Sequence, residues 1–100
     1  MTAGTTRSRQ PKPLAAGPFL AAIDSFRLHL AAEGKSVKTV RTYAEAVQWF
    51  AGGHLLGETS HRDWEQVGAQ DVQRWMIWLL GRHSDSYASN QYRALQQFFR

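Results

Sequence analysis

The chain has 100 residues and no cysteine, which excludes a disulfide scaffold and zinc held by thiolates. No apolar run approaches the roughly 18 residues of a membrane span. The N-terminus has no apolar centre of signal-peptide type. Strand signals are missing: there is no sustained apolar–polar alternation and no Asn-Gly or Asp-Gly turn. There is no internal repeat. Enzyme motifs are missing too, with no HExxH, no serine in a GxSxG elbow and no glycine-rich phosphate loop. Carboxylates are few and scattered. These absences point away from catalysis, cofactors and metals and toward a cytoplasmic binding module that does not engage a membrane.

What is present suits one small globular domain. Hydrophobic residues make up 43% of the chain, too many for a wholly disordered protein. The net charge of +4 is unevenly placed. Residues 1–17 carry Arg7, Arg9 and Lys12 and no acid, and they show no apolar periodicity. They read as a disordered basic leader, either a plain tail or an arm that touches phosphates. The domain proper is then 18–100.

Apolar periodicity predicts four main helices, an all-α bundle. The first runs from about Pro18 to Glu33, with Phe19, Ile23, Phe26 and Leu30 on one stripe and Gly34 as the stop. The second runs from about Val37 to Ala51, capped by Ser36 and ended by Gly52 and Gly53. Val40, Tyr43, Ala44, Val47 and Phe50 form its buried face. Residues 54–68 are expected to be a long loop pinned by Leu55, Leu56, Trp64 and Val67. The third helix runs from about Ala69 to Leu80 and, with Val72, Trp75, Met76, Trp78, Leu79 and Leu80, is expected to be the most buried. The fourth starts near Ser86. It reaches the chain end just after Phe98 and Phe99 with no cap or glycine, which predicts a cut in a longer protein.

Charge placement offers a binding surface. Lys35, Lys38 and Arg41 crowd the start of the second helix with no acid between Gly34 and Ala44. A helix N-terminus is the positive end of the macrodipole, so each exposed cation there costs roughly 0.3–1 kcal/mol. A docked phosphate reverses that sign and meets free backbone N–H groups. Ser36, Thr39 and Thr42 add short hydroxyls. The fourth helix, from Ser86 on, has Arg93 and Arg100 and no acid, and its outward positions hold Ser89, Asn90, Gln96 and Gln97. Asn, Gln and Arg make paired hydrogen bonds to base edges. Acids gather instead in 54–71, with Glu58, Asp63, Glu65 and Asp71 against Arg62. Such polarity suits a one-sided grip on a polyanion. An ordinary solvated polar surface fits the same residues.

His54 and His61, seven apart with Asp63 nearby, lack metal-ligand spacing and read as solvated loop histidines. The tryptophans could stack on bases, but helical spacing assigns Trp75 to the core. Trp49 and Trp78 could face a partner domain or protomer.

Three segments in this order resemble the N-terminal core-binding domain of tyrosine recombinases, the phage integrase family. They are FLAAIDSFRLHLAAEG, the pattern S-x-x-T-V-x-x-Y at Ser36, Thr39, Val40 and Tyr43, and the terminal YRALQQFFR. VGAQDVQRWMIWLL is similar to the family's third helix. The resemblance covers about residues 18–100. It implies half of a C-shaped clamp on duplex DNA, with the second and fourth helices toward the major groove. Lys35, Ser36, Lys38, Thr39, Thr42 and Tyr43 are then contact candidates on one helix, and Ser89, Asn90 and Arg93 on the other. Arg82 and His83, ahead of the fourth helix, reach phosphates on this reading. The family's chemistry resides in a separate C-terminal catalytic domain, so Tyr43, Tyr87 and Tyr92 are not nucleophiles. Implied partners are DNA, that catalytic domain and other protomers of a recombinase tetramer. One departure is the segment Tyr87-Ala-Ser-Asn-Gln, where the family often has threonine and more arginines. A helical protein-interaction module with incidental basic faces is the main alternative. A helix-turn-helix regulator is another, and the long 54–68 connection argues against it.

Overall fold

The computed structural model describes residues 15–100. Arg7, Arg9 and Lys12, the basic positions of the leader, lie outside the described residues. Ala16 is already buried, so the packed body begins just before Pro18. Gly17–Phe19 form a single 3-10 turn that leads into α1, Leu20–Ala32. Then come α2, Val37–Phe50; α3, Ala69–Leu80; and α4, Asp85–Phe99. The architecture is an all-α bundle of four main helices, without strands among the described residues.

The stripe on α1 is as the periodicity predicts. Phe19, Ile23, Phe26 and Leu30 are all buried. Gly34 closes the helix in a left-handed conformation, φ 85°, and the Lys35 N–H bonds the Leu30 carbonyl at 3.1 Å. That geometry favours glycine, since a Cβ is strained there. Ser36 then caps α2, its Oγ accepting the Thr39 N–H at 3.1 Å. The tight turn folds α2 back on α1, where Arg27 Nη2 donates to Gln48 Oε1 at 2.9 Å.

The glycine pair does not end the second helix. Ala51–Leu55 form a π turn, and Leu56–Glu58 add one more α turn. Phe50, Ala51, His54 and Leu55 are all buried. Their burial outweighs the roughly 1 kcal/mol that each helical glycine costs. The expected fifteen-residue loop is therefore much shorter, and it contains its own 3-10 turn, Trp64–Gln66. Gln66 Oε1 accepts the Arg62 and Asp63 N–H groups, and Asp63 Oδ1 accepts that of Glu65. Trp64 pins the segment as expected: its Nε1–H bonds the Phe19 carbonyl at 3.2 Å.

α3 is not the most buried helix. Ile77 is 70% exposed, Leu80 50% and Trp78 44%. It packs on α4 and on the π turn, so only the stripe through Trp75 and Leu79 is covered. α4 starts at Asp85, one residue before Ser86 and so near the expected start, and is capped by the Ser84 hydroxyl. An acid therefore sits in its first turn, where the dipole favours it. Ala88, Gln91, Ala94 and Leu95 face the core, while Tyr87 and Tyr92 do not.

α2 and α4 pack together, and both end at one aromatic cluster. Phe50 and Phe99 have ring centroids 6.3 Å apart. Phe98 meets Trp64 at 4.7 Å and Phe26 at 5.2 Å. With a rise of about 1.5 Å per residue, each helix N-terminus lies roughly 20 Å back from its end in this cluster.

Candidate nucleic-acid interface

At the start of α2, Lys35, Ser36, Lys38, Arg41 and Thr42 are exposed. Ser36 is committed to capping, and its hydroxyl also donates to Thr39 Oγ1 at 3.0 Å. Thr39 is partly buried, and Tyr43 packs against the core with part of its ring outside. The first turn of α2 has no acid, and among the described residues none of these three cations forms a salt bridge. The helix therefore carries unneutralised positive charge at its positive end.

On α4, Ser89, Asn90 and Arg93 are all exposed, on the face opposite Ala88, Gln91 and Leu95. Arg93 forms no salt bridge among the described residues. Asp85 in the first turn reduces the positive character of this helix. Arg82, in the turn between α3 and α4, lies over the Trp78 ring at 4.4 Å from its centroid. The next residue, His83, packs on Tyr87 at 4.4 Å. The candidates thus fall into two groups, one at the start of α2 and one along α4 and the turn before it.

His54 is not a solvated loop residue, and His61, although it lies in the loop, is only partly exposed; both face Asp71. His54 is 5% exposed, and its Nε2 lies 3.1 Å from Asp71 Oδ1. His61 Nε2 lies 3.4 Å from Asp71 Oδ2. The Gly68 N–H donates to the same Oδ2 at 3.0 Å. Burial alone pushes the Asp71 carboxyl up, but the Gly68 N–H and the two imidazoles outweigh it and hold it below the ordinary carboxylate range. Because an ionised carboxylate only accepts, His54 Nε2 carries the hydrogen in this pair. Thr59 Oγ1 donates to the Leu55 carbonyl and accepts the His61 N–H, so its hydroxyl is occupied. The cluster fastens the π turn and the following loop to the start of α3. Among the described residues, no group of three or more His, Cys, Asp or Glu side chains is arranged to hold a metal ion.

This cluster also changes the charge map. Asp71 faces inward, so the surface acids of 54–71 reduce to Glu58, Asp63 and Glu65, which are exposed. No helix is long and apolar enough to cross a membrane among the described residues.

Spacing alone does not reveal the cluster, because 17 positions separate His54 from Asp71. One signal was present. His54 stands four residues after Phe50, on the continuation of the buried α2 stripe, once the helix is allowed to pass the glycines.

No family model, curated protein or solved structure matches the chain.

Proposed function

We propose that the chain is a core-binding domain of the tyrosine recombinase type. It grips duplex DNA and positions it for strand exchange by a separate C-terminal catalytic domain. The observation that carries this reading is the uncompensated cluster of Lys35, Lys38 and Arg41 at the start of α2. Folding pays a penalty for cations at that end, and a phosphate removes it. The exposed Asn90 and Arg93 on α4 support the same reading, since their side chains suit base edges as well as phosphates. The three segments that resemble the phage integrase family supply the rest of the argument.

A titration of the isotope-labelled chain with a short duplex at low salt tests it. Amide shifts concentrated at residues 35–43 and 86–93, fading as salt is added, are the expected result. Silence in both segments overturns the proposal.

A second reading is a helical protein-interaction module. It is favoured by an open groove of about 650 Å³ between α3 and α4, lined by Val72, Met76, Ile77, Tyr92, Leu95 and Phe99. On that reading, changes at Ile77 or Tyr92 abolish partner binding while changes at Lys38 and Arg93 have no effect.

A further inference from the structure

We propose that Trp78 is a positioning residue that holds Arg82 ready for a phosphate of the bound duplex. The inference rests on the DNA-binding reading above and assigns a role to a side chain outside the basic cluster.

Three residues of α3 and its exit turn, at positions 75, 78 and 82, lie on one stripe. Trp75 is buried and meets Phe50 edge to face, with centroids 6.2 Å apart. Trp78 stacks on Trp75 with centroids 5.2 Å apart and planes within 6°. Arg82 lies over Trp78 at 4.4 Å. The stack therefore runs from the core to the surface, and each layer is held by the one beneath. The backbone under Arg82 is held as well, because the Arg82 and His83 N–H groups both bond the Leu79 carbonyl, at 3.0 and 2.8 Å.

Stacking uses the face of a guanidinium and leaves its in-plane N–H donors free. Among the described residues, Arg82 has no carboxylate within salt-bridge distance and no side-chain hydrogen bond. Its donors are therefore unspent. An arginine on a flexible turn loses rotamer freedom when it binds, whereas this one is already restrained by the ring. Planar, paired donation to two oxygens of one phosphate is the contact such a guanidinium makes best. The turn also leads directly into α4, so Arg82 sits beside the helix that carries Ser89, Asn90 and Arg93.

The test is the salt dependence of binding of the full chain to a short mixed-sequence duplex, compared across variants. Arg82→Ala is expected to lower the slope of log affinity against log salt by about 0.9, the loss of one phosphate contact. Trp78→Leu is expected to reproduce a large part of that loss although Arg82 is intact. Leucine still covers Trp75, so the fold survives, but it offers the guanidinium no π face. Trp78→Phe is expected to restore the slope. Combining Trp78→Leu with Arg82→Ala should add little to Arg82→Ala alone.

If Arg82→Ala lowers the slope and Trp78→Leu leaves it unchanged, the positioning role is overturned while Arg82 remains a contact. If Lys38→Ala and Arg93→Ala lower the slope and Arg82→Ala does not, the proposal falls and the DNA reading stands. If the unaltered chain does not bind duplex at low salt, both fall together.

Discussion

His54 and Asp71 stand 17 positions apart in the chain and meet at 3.1 Å in the interior. The imidazole belongs to the π turn after α2, and the carboxylate belongs to the first turn of α3. The hydrogen bond thus reinforces the packing of α3 on the π turn. Asp71→Ala leaves the Gly68 N–H and the His54 Nε2–H without their acceptor. The expected loss is about 3 kcal/mol, read by chemical denaturation.

The same carboxyl makes stability depend on acid. Its folded pKa lies below its unfolded value of about 3.8. Its contribution is therefore complete above that value and is lost as pH falls through the lower folded value. Denaturation midpoints of the unaltered chain should drop below about pH 4, and those of Asp71→Asn should drop less from this cause.

At the start of α2, stability and binding oppose each other. Lys38 occupies the first turn, where a cation is misplaced and an acid is favoured. Lys38→Glu is expected to stabilise the fold by about 0.5–1 kcal/mol, raising the melting temperature. The same change is expected to weaken duplex binding and flatten its salt dependence. A melt and a binding titration on one sample check both signs.

Gly34 holds the left-handed position that closes α1 and leaves open space where a Cβ would stand. Contact therefore plays no part, and Gly34→Ala isolates backbone strain. It should destabilise by about 1–2 kcal/mol without disturbing the core signals of a spectrum.

Phe50 is fully buried and lies against His54, Trp75 and Phe99. Phe50→Ala should cost about 3–5 kcal/mol, a large share of what a domain this small possesses. Loss of cooperative unfolding, followed by circular dichroism, is the expected outcome.

The four helices were legible because their apolar residues repeat at helical spacing and because Gly34, Ser36 and Gly68 carry standard end signals. The stripe from Phe19 to Leu30 needed nothing more. The helix passes Gly52 and Gly53 for a physical reason. A local preference of about 1 kcal/mol per residue yields to burial, because His54 and Leu55 beyond the glycines continue the buried stripe. The same preference makes the loop look longer than it is and hides the burial of His54. The exposure of Ile77 and Leu80 was illegible for another reason. Periodicity shows which face of a helix is apolar, not how many neighbours arrive to cover it. The basic residues of α2 were found where charge arithmetic put them, because long cations stay outside whatever the packing.

The π turn at Ala51–Leu55 also sets a rule about chain length. A regular helix advances about 100° per residue, and this turn accommodates one residue more than a regular turn. Deleting either Gly52 or Gly53 removes the extra residue and leaves a regular helix whose continuation keeps its direction, whereas adding a further residue there would rotate everything after it by roughly that angle. Such an insertion would take Leu55 and His54 out of the interior and leave Asp71 facing an empty position. Between Thr59 and Arg62 a change of length acts differently: it disturbs the contacts of Thr59 with Leu55 and of His61 with Asp71 and leaves the helix itself intact. Within the helix this chain should therefore tolerate the loss of one residue better than the gain of one, at the two positions whose side chains do least.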